Sequence, residues 1–154
     1  MSQVDVFIEE IKNESEKEGK SLVIIVGKPG SGKSKFMRQM AKQEKWNYID
    51  SRVLITEEFL DIAPEERNEK APALMNKILD QYNSDVILID RVQTLFVPLF
   101  QIEIRRFLNN ISQKKTIVMA WPGSHSDGKL HYERYDGSSK IEVPTDGYKI
   151  LEVE

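Results

Sequence analysis

The residues Gly27-Lys28-Pro29-Gly30-Ser31-Gly32-Lys33-Ser34 have the make-up of an anion cradle. Gly27, Gly30 and Gly32 allow positive φ and let successive backbone N–H groups approach a bound anion closely. Helix-forming residues follow from Lys33, so the positive end of a helix dipole points at the same charge. Lys33 adds a mobile ammonium for terminal phosphates, and the Ser34 hydroxyl can ligate the Mg²⁺ that accompanies them. Lys28, Pro29, Ser31 and Lys35 complete the stretch around the anion. The positions match Gly-x-x-x-x-Gly-Lys-Ser/Thr in full, and the apolar run Leu22 to Val26 ahead of them reads as the strand the motif requires.

Downstream, Val86-Ile87-Leu88-Ile89 ends in Asp90, a carboxylate placed to hold the same cation through water beside Ser34. Asp50 ends the shorter run Tyr48-Ile49-Asp50 and is a candidate general base; the alternative is a strand-end residue capping the turn at Ser51. Arg91 follows Asp90 and either contacts the ligand or forms a salt bridge. Arg105-Arg106 reads as a solvated helix face, or as a cation reaching a neighbouring subunit's phosphate. His125 and His131 flank the loop Gly123–Gly128 without a third ligand at metal spacing, so solvent exposure or a loop near the ligand is the better reading. Trp46 and Tyr48 could stack a base, although aromatics at a helix–strand junction usually belong to the core.

The elements that must hold these residues alternate. Ser2 with Asp5 suggests a helix start, Val4, Phe7, Ile8 and Ile11 its apolar stripe, and Gly19 its end. Phe36, Met37, Met40 and Ala41 define a helix over about 33–44, and Leu74, Met75, Ile78, Leu79 and Tyr82 another with Pro72 in its first turn. The charged stretch 56–68, broken by Pro64, reads as loop or short helix. Leu99, Ile102, Phe107, Leu108 and Ile111 suggest a helix after Pro98, and Thr116 to Met119 a further strand. Strands alternating with helices predict an α/β fold, a parallel sheet flanked by helices. From 123 onward the runs 130–135, 139–143 and 148–153, parted by Asp136-Gly137 and Asp146-Gly147, predict an antiparallel β-rich tail. Its relation to the main sheet stays open. The chain reads as one domain over 1–154: a helix over 1–19, a core over 20–122 and a tail over 123–154.

The 154 residues carry 22 Lys and Arg against 25 Asp and Glu, a net charge of -3. That acidity argues against a stand-alone nucleic-acid binder and leaves direct nucleic-acid contact open. The absence of cysteine excludes disulfides, thiolate zinc sites, iron–sulfur clusters and a cysteine nucleophile. Apolar runs are far too short for a membrane span, and the amphipathic N-terminus is unlike a signal peptide, which makes the cytoplasm the expected location.

Over about residues 20–122, the Gly27–Ser34 loop and the Val86–Asp90 strand resemble the P-loop NTPases. Within them the resemblance is to the group with an additional strand between the two motifs, which includes the AAA+ and RecA-like ATPases. It implies ATP as ligand with Mg²⁺, hydrolysis, and work as a homo-oligomer or with larger protein partners. By position it puts Lys33 on the phosphates and Ser34 and Asp90 on the metal. AAA+ proteins carry an acidic residue after the strand aspartate to polarise water, where this chain has Arg91, which cannot act as a base with a pKa above about 12. RecA-like proteins place a glutamate on the neighbouring strand, where Asp50 or Glu44 could stand; Asp50 is the preferred substitute. The strand from Thr116 to Trp121 has no polar side chain at the position where AAA+ proteins tend to carry one, and no helical lid follows. These departures imply slow or partner-dependent turnover.

In its size, its loop and its lack of a lid the chain is also similar to the small P-loop component of BREX-type phage-defence systems, which travels with a methyltransferase and other large subunits. Two alternatives remain. A small-molecule kinase would use Asp50 on the second strand, but Arg134 is the one arginine after Met119 that a phosphate-clamping lid could use. A nucleotide sensor or scaffold would bind without turnover, which Arg91 in the acidic position favours.

Overall fold

A computed structural model describes residues 2–17, 21–111 and 114–154. Helix α1 (Gln3–Ser15) begins at Ser2, which accepts the Asp5 N–H while the Asp5 carboxylate reaches back to the Ser2 N–H, a reciprocal capping box. Gly19, expected to end this helix, lies outside the described residues. Then follow β1 (Leu22–Val26), α2 (Lys33–Glu44), β2 (Asn47–Asp50), α3 (Glu57–Asp61), α4 (Arg67–Leu79), β3 (Val86–Asp90), α5 (Ile104–Asn110) and β4 (Thr116–Ala120). The tail supplies β5 (Ser124–Ser126), β6 (Lys129–Glu133), β7 (Lys140–Pro144) and β8 (Lys149–Glu152).

Five strands form one parallel sheet in the order β2-β3-β4-β1-β8. β1, β3 and β4 are buried along their whole length, which is why they read as unbroken apolar runs and do not alternate. Val23, Ile25, Leu88 and Val118 point to one face, where Phe7, Ile8 and Ile11 of α1 and Met37 and Met40 of α2 cover them. Ile24, Ile87, Ile89, Ile117 and Met119 point to the other, beneath α4 and α5. Each fully buried Ile or Met side chain contributes about 1.5–3 kcal/mol of transfer free energy. The sheet therefore has a helix-covered core on both sides.

Three details differ from the sequence reading. The charged stretch holds the short helix α3, one of the two forms expected of it, but its end already belongs to α4, which starts at Arg67 after a 3-10 turn at Pro64–Glu66, so Pro72 sits inside α4 and not in its first turn. The helix after Pro98 begins only at Ile104, capped by Glu103, because Pro98–Phe100 forms a separate 3-10 turn ending with Gln101 at positive φ. The tail divides. β5, β6 and β7 make the expected antiparallel sheet, whereas the run at 148–153 leaves it and adds β8 to the main sheet, parallel to β1. Asp146-Gly147 is thus a crossover between sheets. The hairpin turn that sequence reading overlooked is Asp127-Gly128, with φ 54° and 71°, the left-handed pair a two-residue hairpin demands.

Arg67 was not singled out from sequence, yet it is the buried cation of the described residues. Its guanidinium donates to Leu60 O at 3.2 Å and Leu99 O at 3.0 Å and lies 5.1 Å from the centre of the Phe59 ring. It ties α3 to the turn before α5 across the top of α4.

Candidate functional site: a glycine-rich loop at the end of β1

The Gly27–Ser34 loop joins the C-terminal end of β1, an inner strand between β4 and β8, to the start of α2. Gly30 (φ 79°) and Gly32 (φ 89°) take the left-handed conformations expected of them. Gly27 does not; its requirement is space. A Cβ there would lie 2.6 Å from Ser31 Oγ and 3.3 Å from Val153 Cβ, so the loop closes against the segment after β8. Ser31 N–H donates to Lys28 O at 3.0 Å and closes the turn, while Ser31 Oγ is buried without a hydrogen-bond partner. Gly32 is the N-cap of α2 and has no side chain to offer, so the first-turn N–H groups of Lys33, Ser34 and Lys35 face outward uncapped. Such an end binds anions through its amides and its dipole.

Lys33 folds back over the loop, its Nζ donating to Gly27 O at 2.8 Å. Partial burial pushes its pKa below the usual lysine value, against the opposing pull of the Asp90 carboxylate. Ser34 is half-buried in the first turn of α2, and Lys28, Pro29 and Lys35 are exposed. A cleft of about 420 Å³ opens beside the loop, between Lys28–Ser31 and Glu152–Glu154. Two larger clefts, along α4 and α5 and beside β7, touch no residue of the loop.

Asp90 ends β3 two strands from the loop and is 4% exposed. One carboxylate oxygen accepts the Arg91 N–H at 2.9 Å and the other accepts the Tyr48 hydroxyl. Asp50 stands in register beside Asp90 on β2, so the two carboxylate residues are neighbours at the sheet's C-terminal edge. The Asp50 side chain is nonetheless engaged. It accepts the Arg52 N–H at 2.9 Å as N-cap of the turn Ser51–Leu54, and pairs with Arg52 at 3.1 Å and Arg91 at 3.7 Å. Arg91 thus takes the salt-bridge alternative, from a left-handed backbone (φ 58°) fastened by Ser51 Oγ on its carbonyl at 2.7 Å.

Burial alone would raise the Asp50 pKa, but the hydrogen bonds and charge of Arg52, with Arg91 behind them, outweigh it and hold the pKa below 3.8. A depressed carboxyl contributes stability that is complete above its ordinary pKa and lost as the pH falls through the lowered one. Asp50→Asn should therefore show a smaller fall in stability between pH 7 and pH 3 than the native chain, as followed by urea melts at each pH.

The other candidates lie elsewhere. Glu44 pairs with Lys12 of α1 at 2.6 Å, and Arg105 donates to Pro144 O at 2.6 Å while lying 5.2 Å from the Tyr148 ring centre. Arg106 is on the first turn of α5, where Glu103 caps its N–H. His125 and His131 lie on β5 and β6, and the described residues hold no group of three potential metal ligands. Gly123, assigned to an exposed loop, is pressed against β6, where a Cβ would come within 1.7 Å of His131 O. Trp121 closes β4 with its indole N–H on His131 O at 3.0 Å. Trp46 packs on the α1–α2 side of the core. Sequence reasoning missed the Tyr48 hydroxyl; the signal was the alternation that puts Tyr48 on the face shared by Asp50, visible once β2 is known to pair with β3.

β4 lies between β1 and β3, so one strand separates the loop from Asp90, as the additional-strand resemblance implies. The strand order and the loop's position are consistent with a P-loop core. No family model matches the chain, and no curated protein matches its sequence. Among solved structures the chain is similar to one from "Structure of Drosophila ORC bound to DNA", with 13% identity and a TM-score of 0.47. The alignment covers 96% of this chain and 41% of that one, so this chain spans less than half the length of its match.

Proposed function

We propose that this chain is a P-loop NTPase module that binds ATP with Mg²⁺ and turns it over slowly or only with a partner. The observation that carries the reading is the uncapped start of α2 behind the left-handed Gly30 and Gly32, with the Lys33 ammonium folded over the same loop. The loop amides take the phosphates, and Lys33 swings from Gly27 O to the terminal phosphates. Ser34, with Asp90 through water, is the donor set for Mg²⁺, whose oxygen-only preference those groups satisfy. Bound there, the cation would neutralise negative charge on the triphosphate. The cleft between Lys28–Ser31 and Glu152–Glu154 takes the nucleoside half.

Slow turnover follows from Asp50 and Arg91. Asp50 is the candidate base nearest Asp90, but two arginines hold its carboxylate, so activation of water needs that pair to open. A homo-oligomer or a larger complex, such as a BREX-type phage-defence assembly in the cytoplasm, is the setting in which a partner would open it. The closed pair also favours a second reading, a sensor or scaffold that binds without hydrolysis.

Labelled ATP with Mg²⁺ separates these. Phosphate released to water supports the ATPase, transfer to an added acceptor supports a kinase, and ATP retained intact supports the sensor. Asp50→Asn should lower any phosphate release by about 10²–10³-fold while leaving nucleotide affinity within about threefold, the pattern of a lost base. Unchanged release would reject Asp50 as the base.

A further inference from the structure

Tyr48 is placed to do more than fill the core. β2 and β3 pair in register with Tyr48 beside Leu88 and Asp50 beside Asp90. Side chains on a strand lean along its direction. The Tyr48 ring packs against the α1–α2 core, and its hydroxyl reaches one step along the edge to donate to Asp90. The second carboxylate oxygen takes the Arg91 N–H, whose backbone is fastened by Ser51. An ionised carboxylate offers about four lone-pair sites, so one donor on each oxygen leaves each with one to spare. Asp90 is almost wholly buried, and the plane of its carboxylate is set by these two donors, one on each side.

We propose that Tyr48 is a positioning residue for Mg²⁺: its hydroxyl fixes the Asp90 carboxylate so that the remaining lone pairs meet the waters of the hydrated cation. The proposal rests on the Mg²⁺–ATP reading above. A carboxylate already holding two donors is suited to accept from metal-bound water, and partners of this kind orient the groups around a metal. Phenylalanine at this position keeps the ring and its packing and removes the hydroxyl alone.

The test titrates Mg²⁺ into the full chain with a non-hydrolysable ATP analogue at fixed concentration, and repeats the analogue titration in EDTA. Tyr48→Phe should raise the Mg²⁺ concentration for half-maximal binding about tenfold, the low end for loss of such a partner. Binding in EDTA should stay within about twofold of the native chain, and the melting temperature within about 3 °C. In an Asp90→Asn background, adding Tyr48→Phe should change the Mg²⁺ requirement by less than about twofold, because the two residues act as one unit. An unchanged requirement in Tyr48→Phe, an equal loss in EDTA, or a full second increase on top of Asp90→Asn would overturn the assignment while the nucleotide reading stands. A native chain that binds no analogue with or without Mg²⁺ would overturn both.

Discussion

Replacing Lys33 by alanine should weaken Mg²⁺–ATP binding by about 100-fold and leave the fold nearly as stable as before. The ammonium is the mobile cation at the loop, and a charge-assisted hydrogen bond to phosphate is worth about 1.5–3 kcal/mol, or roughly a factor of 10 to 100 in affinity. Without ligand it makes one hydrogen bond, to Gly27 O, while partial burial disfavours its charge. Those effects oppose each other, so thermal unfolding should move by no more than a few degrees. Lys33→Arg should not restore binding, since a planar fork cannot occupy the place of a compact ammonium that reaches over the loop. Isothermal titration of the native chain and both variants, with a melt of each, checks the claim. Equal affinity in Lys33→Ala would remove this residue from the site.

A large loss of stability should come from Arg67, far from the loop. Arg67→Ala leaves the carbonyls of Leu60 and Leu99 without their donor and removes the cation from the Phe59 ring. Leu60 and Leu99 are themselves exposed, so water can reach their carbonyls once the guanidinium is gone, and the loss is that of the charged hydrogen bonds and the ring contact, about 2–4 kcal/mol in all. In a chain of this size that is a fall in melting temperature of roughly 10 °C. Arg67→Lys should recover less than half, because a single ammonium cannot span two carbonyls on separate segments as the guanidinium fork does. Denaturant unfolding of the three proteins measures this directly. Arg67→Ala at native stability would show that α3 and the Pro98–Phe100 turn hold themselves in place.

Sequence and structure agree where local chemistry decides. The Leu22–Val26, Val86–Asp90 and Thr116–Ala120 strands were legible because strands buried on both faces must be apolar throughout. The loop was legible because left-handed backbone at Gly30 and Gly32 is written in residue type. What was not legible depends on segments far apart in the chain. The run at 148–153 has the same β-rich character whether it ends a meander or adds an edge strand to β1; only the fit of Leu151 and Val153 against the α1–α2 side decides. Arg67 looks like any surface arginine of a helix start until α3 and the turn at Pro98 fold over it. Asp50 was readable both as base and as cap; its carboxylate accepts the Arg52 N–H and pairs with Arg52 and Arg91, partners that only the turn after β2 and the β2–β3 register bring to it. Tyr48 belongs to the same group: its hydroxyl gains a role only from a neighbouring strand.

The most direct measurement follows the backbone amide resonances of the native chain as Mg²⁺–ATP is added. Amides that cradle phosphate are deshielded by it, so Gly30, Gly32, Lys33 and Ser34 should show the largest saturable shifts, well above those of the α4–α5 cleft. Shifts centred on that cleft, or none at millimolar nucleotide, would contradict the account.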